Sequence, residues 1–207
     1  ELGDFFTEWR DTKKAEITIE QLLTVATGLE VLKDDDGDGI PDGDDLYNSE
    51  NQVGISLSRS LVGEPGSRNY LYSNSDVMLA GELVKKATGV SVSDYLKTGL
   101  GKKIGFTGEW WVDAQSNVMS YCCLDSTPRS FARFGLLFAR NGLWVADQVL
   151  SEDWVRHSTQ QARFNQYGYF WWPAGDNGFS ALGVMGQMIS VFPDYDLVIL
   201  RFSNYQR

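Results

Sequence analysis

The residues best able to do chemistry in this chain of 207 residues lie in an acidic stretch and in a short phenol–carboxamide pair. Asp34, Asp36, Asp38, Asp42 and Asp45 stand at positions one, three, five, nine and twelve of a twelve-residue run, with Gly39 at six and Ile40 at seven. In that spacing, alternate carboxylates converge on a hard cation. Glycine permits the sharp turn, and the backbone carbonyl of Ile40 supplies a further oxygen. Without a cation so many carboxylates would repel one another, so the run is expected to hold structural Ca2+. Further along, Tyr72 and Asn74 flank Ser73 at the start of an amphipathic run. Taken alone, that triplet is no more than a capped helix start.

Other common reactive arrangements are missing. His157 is the single histidine and sits in Ser151-Glu-Asp-Trp-Val-Arg-His, which reads as a surface helix. One histidine excludes a histidine-rich zinc site, and no G-x-S-x-G elbow accompanies it. Cys122 and Cys123 are adjacent, a spacing that rarely meets disulfide geometry, so they are expected to be small buried apolar residues without a bridge.

The elements that would position these groups follow from periodicity and punctuation. Ile17–Leu29 carries apolar residues at helical spacing, with Thr18 as N-cap and Gly28 as stop. Ser75–Thr88 predicts a strong amphipathic helix ended by Gly89, and Ser91–Leu96 begins another. Thr127–Asn141 predicts a third, with Pro128 in its first turn and Gly142 as stop. Gly186–Phe192 and Leu197–Phe202 read as strands joined through Pro193-Asp194-Tyr195-Asp196, an antiparallel hairpin. Helices followed by locally paired strands imply an α+β fold, with helices packed on an antiparallel sheet. Hydrophobic residues at 43% and aromatics at 13% suffice for a packed core. The net charge of −10 argues against nucleic acid as partner. No apolar run is long enough to span a bilayer.

Several segments in one order carry a resemblance: ITIEQLLTVATGLE, then EPGSRNYLYSNSDVMLAGELVKKATGVSVSDYL, then STPRSFARFGLLFARNGLW with QVLSEDWV, and GVMGQMISVFPDYDLVILRFSN. Together they resemble the serine β-lactamase-like family of class C β-lactamases, penicillin-binding DD-peptidases, family VIII carboxylesterases and 6-aminohexanoate-dimer hydrolases. The resemblance covers nearly everything except the acidic loop. It implies one partial β-lactamase-like domain over residues 1–207, with a calcium-loop insertion at 33–46.

It also implies the site. Tyr72 and Asn74 match the family's Tyr-x-Asn: the phenol would exchange protons with a serine nucleophile, and Asn74 would orient the amine beside it. Ser-x-x-Lys, which supplies that nucleophile, occurs nowhere in the chain. The family places it upstream of the helix matched by Ile17–Leu29, so it is expected before Glu1, in a segment of the same protein or on a separate chain. The family's strand triplet Lys-Thr-Gly is spelled by Lys97-Thr98-Gly99, but without a strand pattern around it. Counting back from Pro193 places the equivalent at Ala181-Leu182-Gly183, with the N–H of Val184 in the oxyanion hole. Ala181 and Gly183 would then contact substrate, and no cation at Ala181 favours esters or amides over carboxylate-bearing β-lactams. Trp171, in an aromatic run with Tyr169, Phe170 and Trp172, is the candidate for an acyl pocket, with core packing as its alternative.

The expected activity is therefore a serine-dependent esterase or amidase acting through an acyl-enzyme. The alternative is an inactive, calcium-stabilised binding or scaffold module of the same fold. The calcium loop ends in Asp45 instead of the usual Glu and resembles the bacterial and thrombospondin type 3 repeats. Sites of that kind suit millimolar calcium, which implies a periplasmic or secreted location. No organic cofactor is expected.

Overall fold

The computed structural model describes residues 1–32, 43–67, 72–162, 166–175 and 177–203. They form two compact units, Glu1–Tyr95 with Trp110–Asp125, and Leu96–Glu109 with Ser126–Arg207.

The first unit is helical. Two short 3-10 turns, Leu2–Asp4 and Thr7–Trp9, place Leu2 and Trp9 in its core with Phe6 between them. Helix α1 (Ile19–Leu23) opens with a capping box: the Thr18 hydroxyl accepts from Gln21 N–H, and the Gln21 side chain accepts from Thr18 N–H. It is shorter than its periodicity predicts. Val25 takes a φ of 54°, a left-handed conformation that a β-branched residue seldom adopts, so the chain leaves the helix after Leu23 although Val25 and Leu29 remain buried. Helices α2 (Gly43–Tyr47) and α3 (Gln52–Ser58) lead to α4 (Asn74–Thr88).

Helix α4 is built as expected. Ser73 caps its start, Asp76 lies in its first turn, Lys85 and Lys86 lie in its last, and Gly89 at φ 79° ends it. Its Leu79 and Leu83, one turn apart, join Leu2, Phe6, Trp9, Ile17, Leu22 and Leu29 in the core. Ser120 fixes the unit's last segment on α4 by donating to Val77 O at 2.9 Å, in a space that the missing side chain of Gly81 leaves open.

That segment corrects the cysteine expectation. Cys122 and Cys123 form a disulfide, with Cys123 at a φ of 62°. The reading by spacing took the residues in ordinary backbone; a left-handed second residue lets neighbouring side chains meet.

Helices α5 (Val92–Thr98) and α6 (Leu100–Ile104) precede the paired strands β1 (Gly108–Trp110) and β2 (Leu124–Ser126). In the second unit, α7 (Pro128–Ala139) begins at the Thr127 cap with Pro128 in its first turn. The short hairpin of β3 (Leu143–Trp144) and β4 (Asp147–Gln148) follows, then α8 (Glu152–Thr159), where His157 is exposed. Strands β5 (Trp172–Pro173), β6 (Phe179–Leu182), β7 (Met188–Phe192) and β8 (Leu197–Arg201) form an antiparallel sheet in that order. The β7–β8 hairpin pairs Phe192 with Leu197 and Met188 with Arg201 across the predicted turn. Helix α7 lies on β7 and β8. A Cβ on Gly135 would meet Val198 Cγ1 at 2.7 Å, so the glycine sets how closely helix and sheet approach.

Candidate active site

The Tyr72-Ser73-Asn74 turn opens α4. Ser73 is extended (φ −141°, ψ 118°) and buried with Asn74, while Tyr72 is half-buried. Beneath them lies a charge pair that no motif predicts. Arg59 Nη2 donates to Asp76 Oδ1 at 2.6 Å, and the two side chains are 0% and 2% exposed. Arg59 Nη1 donates to Ser73 Oγ at 2.9 Å and to Glu30 O at 3.2 Å; its Nε donates to Ser56 O at 3.0 Å. Thr27 Oγ1 lies 2.9 Å from Asp76 Oδ2 and 3.1 Å from Oδ1.

The partners are held by tight backbone geometry. Gly28, at φ 72°, accepts at its carbonyl from Val62 N and Gly63 N, both at 2.9 Å, and presents Thr27 to Asp76. Lys14 holds the end of α3, its Nζ donating at 3.0 Å to Leu57 O and to Arg59 O while sitting 4.9 Å over the Trp9 ring. Burial, then the nearby Arg59 charge, lowers the Lys14 pKa. A cavity of about 170 Å³, lined by Val25, Thr27, Gly28, Ser67, Ser73 and Asp76 among others, lies at this foot of α4.

In the second unit, Trp172 and Pro173 of β5 pair with Ser180 and Phe179 of β6. From Ala181 onward, the outer edge of β6 carries no strand among the described residues. An open edge offers backbone N–H and C=O groups to an extended ligand. The Ala181 methyl packs against the unit's core, so what this residue presents at the edge is backbone. Gly183 leads into the 3-10 turn Val184–Gly186, with Val184 exposed. Trp171 must be corrected: it is 4% exposed and enclosed by Phe134, Phe138 and Phe179 at centroid distances of 6.0, 5.0 and 5.0 Å. Rings from α7 and β6 pack around it, which is the core alternative. Lys97 and Thr98 end α5, and Lys97 pairs with Glu109 at 2.6 Å, a place without the strand that a substrate-binding triplet requires.

A model of the beta-lactamase family matches residues 7–207. The chain belongs to that family. Its members are serine acyl hydrolases, and three solved beta-lactamase-like structures show the shared fold. A Bacillus anthracis protein assigned as a 6-aminohexanoate-dimer hydrolase aligns with a TM-score of 0.81 at 21% identity, over 97% of this chain and 59% of that one. A class C beta lactamase from Rhodobacter sphaeroides gives 0.66 at 18% identity, over 99% and 72%. A penicillin binding protein from Bacillus halodurans gives 0.65 at 16% identity, over 94% and 71%. The chain thus spans about three fifths of the length of the first of these.

Within the beta-lactamase fold the predicted residues fall into two groups. Tyr72 and Asn74 belong to the first unit; Ala181, Gly183 and Val184 belong to the second. Of the calcium ligands, Asp34, Asp36, Asp38, Ile40 and Asp42 lie outside the described residues, and Asp45 is half-buried in α2. Sequence reasoning missed Arg59 and Asp76, which are 17 positions apart and carry no motif. It also missed Tyr121. The Tyr121 hydroxyl and the Gln52 amide oxygen are buried without a hydrogen-bonding partner within reach among the described residues. Burial, followed by Tyr47, raises the Tyr121 pKa, and the Gln52 side chain opposes the rise.

Proposed function

We infer that this chain is the Tyr-x-Asn-bearing part of a serine-dependent esterase or amidase that works through an acyl-enzyme. One observation carries the reading: in a chain of the beta-lactamase family, Tyr72-Ser73-Asn74 forms the capped start of α4, with Asn74 buried and Tyr72 half-exposed beside it. The serine of a Ser-x-x-Lys segment elsewhere in the protein attacks the acyl carbon. Its proton passes to Tyr72, and a Ser–O–acyl bond forms as the bond to the leaving alcohol or amine breaks. Tyr72 then returns the proton to that leaving group. Water repeats the sequence in reverse and frees the serine. Asn74 orients the lysine amine, and the N–H of Val184 stabilises the oxyanion. The open edge at Ala181 and Gly183 takes the substrate backbone, and the lack of a cation at Ala181 favours neutral esters and amides. The Asp34–Asp45 loop holds structural Ca2+, and the protein works in the periplasm or outside the cell.

The test uses the polypeptide that carries both this chain and a Ser-x-x-Lys segment. It should hydrolyse p-nitrophenyl esters of short acids and be labelled by a fluorophosphonate. Tyr72→Phe should lower kcat by about 10²–10⁴, the contribution of a positioned base. Unchanged turnover in Tyr72→Phe would remove the reading.

A further inference from the structure

The hydroxyl between the two motif residues is the junction of the buried charge network. Ser73 Oγ accepts from Arg59 Nη1 at 2.9 Å and from the Asp76 N–H at 3.3 Å, while Arg59 and Asp76 pair directly at 2.6 Å. Buried ion pairs of this kind are a poor device for stability alone, because desolvation cancels much of the attraction and apolar residues of similar size hold a core at least as well. An apolar pair lacks direction, which the rigid guanidinium fork supplies. Direction matters at Ser73 because its backbone is extended. In extended backbone, the neighbours of a residue point to the face opposite its own side chain. With the Ser73 hydroxyl drawn inward to Arg59, the extended backbone at Ser73 turns Tyr72 toward the opposite face, and Asn74 follows directly as the first residue of α4.

We propose that Arg59, Asp76 and Ser73 are positioning residues for the Tyr72–Asn74 pair: the buried ion pair fixes the Ser73 hydroxyl, and the hydroxyl fixes the aim of the phenol and the carboxamide. Thr27, bonded to both oxygens of Asp76, braces the carboxylate from the Gly28 turn. The inference rests on the acyl-transfer reading of Tyr72 and adds residues that touch neither substrate nor nucleophile.

The decisive variant is the double substitution Arg59→Met with Asp76→Leu in the complete polypeptide. It replaces the ion pair by apolar side chains, a change that leaves folding nearly neutral, and it removes the donor to Ser73. The expected result is a melting temperature close to the parent, KM within about twofold, and kcat lower by at least ~10-fold, the scale of a misplaced catalytic group. Ser73→Ala should act in the same direction, and Ser73→Thr, which keeps the hydroxyl, should restore most of kcat. A folded double variant with parental kcat would overturn the proposal. If the double variant does not fold, parental kcat in Ser73→Ala overturns it. Turnover retained in Tyr72→Phe removes the underlying reading and this inference with it. Turnover lost in Tyr72→Phe but kept in both tether variants removes the inference alone.

Discussion

Replacing Gly28 by alanine tests whether the turn that presents Thr27 to Asp76 is as rigid as its geometry implies. A Cβ at residue 28 would lie 2.5 Å from Gly63 O and 2.9 Å from Gly63 C, both backbone atoms of the segment bonded to the Gly28 carbonyl. The residue also sits at a φ of 72°. Left-handed backbone costs alanine about 1–2 kcal/mol. The stiffer unfolded chain returns about 0.4–1 kcal/mol. Pushing packed backbone aside adds about 1–3 kcal/mol. The sum is a loss of roughly 1–5 kcal/mol, centred near 3, or on the order of 10 °C in melting temperature for a chain of this size. Gly89→Ala is the matched control, since Gly89 has a φ of 79° and nothing within 4 Å of its would-be Cβ. That variant should lose only about 0–1.6 kcal/mol, the strain without the clash. Urea unfolding followed by circular dichroism compares the two, and the difference isolates the Gly63 contact. Equal losses would show that the 62–63 segment yields, and the argument that Thr27 is held rigidly against Asp76 would fail.

Tyr121 gives a pH test: burial raises its folded-state pKa, so the stability lent by the neutral phenol is complete below about pH 10 and is lost as pH climbs above it. Tyr121→Phe should flatten that alkaline limb and, by deleting a buried hydroxyl without a partner, leave stability at pH 7 unchanged or higher by up to about 1 kcal/mol; a steeper alkaline loss would contradict the burial argument. The Cys122–Cys123 bridge predicts an intact mass lower by two hydrogens and no alkylation until a reductant is added, whereas labelling of the untreated protein would refute it. For the acidic loop, calcium at a hundredfold excess over its dissociation constant should raise stability by about 2.7 kcal/mol, and Asp36→Asn should abolish most of the gain; a melting curve indifferent to chelator would remove the ion.

The sequence made the framework legible where local signals agreed. In α4, Ser73, the leucines one turn apart and Gly89 all specify the same helix; in α7, Thr127 with Pro128 does the same; in the β7–β8 hairpin, Pro193–Asp196 fixes the turn. The α1 region shows the limit of such signals. Leu22, Val25 and Leu29 keep helical spacing and are all buried, yet the last two reach the core from a turn, because periodicity reports burial and not backbone conformation. Trp171 was ambiguous for a related reason. An aromatic run satisfies a pocket or a core equally, and only the rings contributed from α7 and β6 decide the matter. The cysteine pair was misread because spacing carries no information about the φ of Cys123.

What stayed hidden at the candidate site is of another kind. Tyr72 and Asn74 could be found because their types recur at a fixed spacing within a resemblance. Arg59 and Asp76 belong to no period, and either alone reads as a solvated charge of the sort expected on any surface. Folding inverts that expectation by removing both from water, which is costly unless each hydrogen-bonding direction is met. Ser73 and the carbonyls of Ser56 and Glu30 accept from Arg59, and Thr27 bonds Asp76, so the pair is tied at Ser73 to the turn that carries the motif. A stretch of chain that needed only to be stable would have no use for so directional an arrangement. On the proposed acyl-transfer reading, its presence beside a phenol and a carboxamide is what a catalytic pair of fixed aim would require.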